Sequence, residues 1–95
     1  MWSNREVRDK LNQIADWMEK DTEYTWVNRN PIRANKEYCT LTVIEKFMRL
    51  GDIYIISLVL YYRLKTNVQY WNDVKGRTKE DVIKLYRICA KEIKV

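Results

Sequence analysis

The sequence predicts an all-α fold, a single domain over residues 1–95 built as a compact bundle of four to five helices, and three observations predict it. The stretches Val7–Met18 and Val82–Ile93 each repeat apolar residues at helical spacing. Between them, Ile53–Tyr62 carries no charge, and Ser57 is its only small polar residue. Ten such residues are too few to cross a bilayer, which takes about 20 apolar positions as a helix. A segment apolar on every face has to be surrounded, so the 53–64 helix is expected to be central to the core.

Ser3 is a good N-cap, and Glu6 three residues on completes a capping box, with Trp2 and Val7 spaced for a hydrophobic staple. Val7, Leu11, Ile14, Ala15 and Met18 then share one face, which predicts a helix over 4–19 with Trp17 at the edge of its stripe. Thr25-Trp26-Val27 favours an extended backbone but is too short to predict a strand. Asn30-Pro31 reads as a turn or as an N-cap with Pro at N1, so Pro31–Tyr38 is expected as a short helix turning Ile32 and Tyr38 inward. Thr42 and Glu45 repeat the capping-box pattern ahead of Val43, Ile44, Phe47, Met48 and Leu50. Gly51 then stands as a helix C-cap, and Asp52 as the N-cap of the next helix. Ile53–Leu60 also has the composition of a buried strand, but one lone strand has nothing to pair with, so a helix is preferred. Val68, Tyr70, Trp71 and Val74 suit one helical turn closed by Gly76, with Trp71 plugging the core edge. Thr78 caps the last helix, Glu80 and Asp81 complement its dipole, and Val82, Leu85, Tyr86, Cys89, Ala90 and Ile93 form its inner stripe.

A chain this short compensates with four Trp, seven Tyr and one Phe, each removing a large apolar area from water. Trp2, Trp17 and Trp26 exceed what so small a core requires, which leaves a homodimer interface open. Residues 1–24 carry four basic and six acidic side chains, and residues 25–95 carry fourteen and seven. That asymmetry points the later part toward an acidic protein surface or nucleic acid. Cys39 and Cys89 allow one disulfide, but two free, buried thiols are the expectation. No signal-peptide pattern follows Met1, so an intracellular setting, cytoplasm or nucleus, is expected, with no membrane partner.

Gly51 and Gly76 are the only glycines, which excludes a Gly-rich phosphate loop. The absence of His excludes Ser-His and Cys-His nucleophiles and a histidine base, and no pair of carboxylates stands out from surface charge. No catalytic residue, cofactor or metal site is therefore expected, and the chain reads as a non-enzyme. Residues 42–65 have the outline of a DNA-reading helix pair, but the second member is nearly all apolar where a recognition helix presents polar side chains. Nucleic acid would instead meet the last helix through Lys84, Arg87 and Lys91, as phosphate contacts.

The stretch Tyr70-Trp71-Asn72-Asp73-Val74-Lys75-Gly76-Arg77-Thr78-Lys79-Glu80-Asp81-Val82 resembles the approach to the fifth helix of a cyclin box, of the type found in fungal cyclins that partner phosphate-pathway kinases. The resemblance implies that Ile55–Lys65 matches the buried third helix, Thr42–Leu50 the second and Val7–Glu19 the first. A second register sets the apolar run on the family's second helix. Lys65 would stand for the family's kinase-facing Lys, while the Glu that normally pairs with it falls on Tyr86.

The expected function is a non-catalytic protein-interaction module, in its concrete form a cyclin-like regulator docking on a kinase or another helical partner. Its expected partner-binding residues are Lys65, Trp71, Lys84, Arg87 and Lys91. Arg29, Arg33 and Lys36 make a secondary basic cluster, which reads as a solvated loop edge. The alternatives are a small basic nucleic-acid-binding protein using the last helix, and a small inhibitor covering an enzyme's acidic surface.

Overall fold

The computed structural model describes residues 1–95. In chain order it contains α1 (Asn4–Lys20), β1 (Thr25–Trp26), β2 (Glu37–Tyr38), α2 (Ile53–Leu64), α3 (Val68–Asn72) and α4 (Lys79–Glu92). Short 3-10 turns at Arg33–Asn35, Thr42–Lys46 and Leu50–Asp52 fill the middle third. The fold is mostly helical, with four α-helices within the four to five that the sequence predicts, and its only sheet is a ribbon of two residues per strand.

The frame is the antiparallel pair of α1 and α4. Asn4 Nδ2, at the start of α1, donates to the carbonyl of Lys94, at the far end of the chain, at 3.1 Å. Both N-termini carry the caps read from the sequence: Ser3 forms its capping box with Glu6, and Thr78 caps α4 in a box that Asp81 completes, beyond the dipole role expected of that acid. The two stripes meet as expected. Val7, Leu11, Ile14, Ala15 and Met18 from α1, and Val82, Leu85, Tyr86, Cys89 and Ala90 from α4, are all buried. Each large aliphatic side chain enclosed there contributes about 1.5–3 kcal/mol of transfer free energy. Both thiols are free and buried.

The middle third departs from the helical reading. Thr25–Trp26 does form a strand, paired in parallel with Glu37–Tyr38 in the register Thr25 to Glu37 and Trp26 to Tyr38. The expected helix over 31–38 is reduced to the 3-10 turn at Arg33–Asn35 because this pairing draws out the backbone that follows: the Thr25 amide donates to the Lys36 carbonyl at 2.9 Å and the Val27 amide to that of Tyr38 at 2.8 Å. Tyr38 is buried as expected, whereas Ile32 is half exposed. The expected helix over 42–50 is reduced to a 3-10 turn. Thr42 Oγ1 accepts from the amide of Cys39 at 2.8 Å, so it is not free to cap a helix beginning at its own position. Val43, Ile44 and Met48 still reach the core, but Leu50 lies in water. Asp52 makes no side-chain cap, since the Leu50–Asp52 turn runs straight into α2.

Helix α2 forms where the sequence places it, yet it is not central. Only Ile56 and Leu60 are buried, and the opposite side of the helix faces solvent. Ninety-five residues supply too few elements to wrap a third helix once α1 and α4 have paired. The three tryptophans considered for a dimer interface are instead half-buried against the protein's own core. Trp17 packs edge-on to Tyr38 and Phe47, with ring centroids 5.1 and 6.2 Å apart.

One side chain holds the irregular third in place. Asn72, fully buried at the end of α3, accepts from Trp26 Nε1 at 3.1 Å and from the Thr40 amide at 2.8 Å, and donates to the Val27 carbonyl at 3.1 Å. Thr40 in turn offers its carbonyl to the fully buried Tyr86 hydroxyl at 2.6 Å, which ties the same node to α4.

Candidate interaction surface

The outer face of α2 exposes a row of large apolar side chains. Tyr54, Leu58, Tyr61 and Tyr62 recur at steps of four, three and one, so they share one side of the helix. They are 60%, 46%, 47% and 65% exposed, and Leu50 just before them is 84% exposed. Three part-exposed tyrosines and two leucines make an apolar area on the order of the 300–600 Å² found for the largest patch of a typical monomer. Leu41 and Val68 with Gln69, from the start of α3, turn one flank into an open groove of about 630 Å³ against Tyr54, Leu58 and Tyr61. The helix ends in Lys65, whose backbone is left-handed with φ 59° and whose amide closes onto the Tyr61 carbonyl at 2.8 Å.

The five residues expected to bind a partner are separated into distinct settings. Trp71 and Lys84 face one cleft, between α2, α3 and the start of α4, together with Arg63 and Arg77. Lys65 lines the neighbouring cleft with Tyr62 and Glu92, and Arg63 borders both. Lys91 is exposed in the last turn of α4. Arg87 is not on that side. Its guanidinium turns back to α1, where it meets Asp16, Glu19 at 2.9 Å and Asn12 Oδ1 at 3.1 Å. Those hydrogen bonds to Asp16 and Glu19 raise its pKa further, and they make it a cross-link of the helix pair.

The secondary cluster is also spent within the chain. Arg29 grips Glu37 with both terminal nitrogens at 2.7 Å, and Arg33 grips Glu45 at 2.7 and 2.9 Å. Lys36 pairs with Glu23 across the ribbon. These hydrogen bonds hold the Glu37 and Glu45 carboxyls below their ordinary pKa. Near the same pole, Lys46 sits 3.6 Å from the centre of the Tyr24 ring. Tyr38 below it has the one buried side-chain polar atom without a hydrogen-bond partner, and burial pushes its hydroxyl up to about 12.

Three features escaped sequence reasoning. Arg77 lies over the Trp71 ring at 3.9 Å after the turn at Gly76, whose φ is +86°. Arg63 ends an apolar run and pairs with Glu92 at 3.1 Å. The outward tyrosines of α2 have one signal in the sequence, the lack of any polar stripe in that helix, and the same run equally fits enclosure.

These elements define a small, mostly helical protein with a minimal parallel ribbon. No helix is long and apolar enough to cross a membrane, and no group of three or more Cys, Asp or Glu side chains is placed to hold a metal ion. No family model matches the chain, and neither the curated proteins nor the solved structures contain a match.

Proposed function

We propose that this chain is a non-catalytic protein-interaction module that docks on a helical partner through the outer face of α2. The observation that supports the reading is the contrast within that one helix: ten uncharged residues, of which Ile56 and Leu60 alone are buried while Tyr54, Leu58, Tyr61 and Tyr62 face water. Leaving such a face bare forgoes the hydrophobic free energy that a partner would recover. The flanking groove has the form that receives an amphipathic helix by its i, i+3, i+4 and i+7 side chains. Tyrosine rings at its border suit recognition, since they carry a large contact area on few rotatable bonds. The cyclin-box resemblance of residues 70–82 makes a kinase one concrete partner.

The test is affinity capture from the native source, followed by mass spectrometry, with the wild-type chain and a Leu58→Asp/Tyr61→Asp variant of matching circular dichroism. A protein retained by the former and lost by the latter supports the reading. Equal recovery by both overturns it, and dimerisation of the pure wild-type chain abolished in the variant would name a second copy as the occupant.

A second reading, nucleic-acid binding, is favoured by the placement of charge. From Arg63 to Val95 there are nine basic and four acidic side chains, whereas the first 62 residues hold nine of each. Lys65, Lys84 and Lys91 are exposed and form no ion pair. Mixed-sequence DNA bound at low salt and released steeply at moderate salt would establish it.

A further inference from the structure

We infer that the cleft between α2, α3 and the start of α4 is a receptor for a phosphate monoester, such as a phosphorylated side chain presented by a protein partner. The inference adds a ligand chemistry to the interaction module proposed above and uses a surface separate from the tyrosine face of α2.

Arg77 is the centre of the site. Its guanidinium lies 3.9 Å from the centre of the Trp71 ring, and its Nε donates to the Trp71 carbonyl at 2.9 Å. Stacking and that one hydrogen bond fix the plane of the group, while its two terminal nitrogens make no hydrogen bond or ion pair with the protein. A guanidinium held in this way presents a preorganised fork, the geometry that takes two oxygens of one oxyanion. Lys84 borders the same cleft of about 210 Å³, is exposed, and has no ionic partner. Arg63 also lines the cleft and shares its charge with Glu92 at 3.1 Å. Asp81 is the one carboxylate in the lining: its Oδ2 accepts from the Thr78 amide at 3.0 Å, within the capping box of α4, and its negative charge still acts on Arg77 and Lys84.

The charge count chooses the ligand. A carboxylate needs only the Arg77 fork, and a phosphodiester carries a single negative charge as well. Arg63, Arg77 and Lys84 stand against the single Asp81 carboxylate, so the lining carries three positive charges and one negative, a net +2, and a dianionic phosphate fills the site more completely than either. The half-buried Trp71 and Ile88 side chains that line the cleft give the carrier group an apolar rest.

The test is an NMR titration of the full chain at constant ionic strength with phenyl phosphate, benzoate and diethyl phosphate, following the Arg77 Nε–H and Trp71 indole signals. Saturable shifts at these two signals are expected, with phenyl phosphate binding about tenfold more tightly than benzoate. Lys84→Gln and Arg77→Gln, each verified as folded by circular dichroism, should each weaken phenyl phosphate binding by about tenfold. Equal binding of all three anions, shifts scattered over every basic residue, or an unchanged affinity in Lys84→Gln would overturn the site. Diethyl phosphate binding as well as the monoester would also overturn it, in favour of a nucleic-acid backbone. Because the titration needs no protein partner, its failure leaves capture through α2 unaffected, and a failed capture leaves the phosphate site standing.

Discussion

Helices α2 and α4 are of similar length, twelve and fourteen residues, and α2 is the more apolar of the two, yet α4 is the one built into the core. The difference lies in distribution. In α4 the apolar residues occupy one stripe and the exposed Lys84 and Lys91 the other side, so a single orientation satisfies both. In α2 no polar side exists to point outward, so packing Ile56 and Leu60 leaves tyrosines and a leucine in water. What places a helix is the asymmetry of its surface, and the quantity of apolar residues alone does not.

The sharpest way to break this comparison is to place one charge on each helix. Leu85→Asp puts a carboxylate at a buried position of α4 and should abolish the cooperative thermal transition. Leu58→Asp on α2 should leave stability within about 0.5 kcal/mol of wild type. Equal damage from the two would mean that the outer face of α2 is covered in solution.

Asn72→Leu asks how far the boundary between the sealed and the open side depends on one amide. It strands the indole of Trp26, the amide of Thr40 and the carbonyl of Val27. A loss of about 3 kcal/mol is expected in denaturant melts. Arg87→Ala measures the ionic part of the α1–α4 seal. The arginine side chain is 37% exposed, so the expected loss is about 1 kcal/mol and should shrink in high salt.

The smallest effect concerns Tyr38 and carries a sign. Replacing it by Phe removes a buried hydroxyl that has no partner, and should raise stability by about 1 kcal/mol. Burial, with the charge of Asp21, raises this hydroxyl to about 12, and burial with Glu92 raises the Cys89 thiol to about 11. Both groups therefore keep protons in the folded state that the unfolded chain releases, so their contribution is whole below about pH 9 and drains as pH climbs through 11 and 12. Melting temperature should fall over that alkaline window, and Tyr38→Phe should shallow the upper end of the fall.

The helical frame was legible because its signals are local. A capping box and a periodic stripe lie within one turn or one helix, so Ser3 to Met18 and Thr78 to Ala90 could be read directly. The ribbon was not, because each strand of two residues exists only through the other, across a connection of ten. Thr42 misled for a related reason. Its spacing to Glu45 suits a cap, but its hydroxyl is claimed by the Cys39 amide. Of the site, Trp71 and Lys84 were legible as surface residues, while the stacking of Arg77 depends on the turn at Gly76 and leaves no periodic trace. Arg87 had the spacing of a docking residue, and only the approach of α1 turns it inward.

Lys65 holds a backbone conformation that glycine adopts freely and other residues adopt at a cost of about 1 kcal/mol. Lys65→Gly would thus toughen the protein against heat while erasing a cation beside the tyrosines. A variant library screened for thermal endurance would drift toward glycine there, and one screened for ligand retention would hold on to lysine. The direction each screen takes at this single codon would tell whether durability or recognition governs the end of the helix.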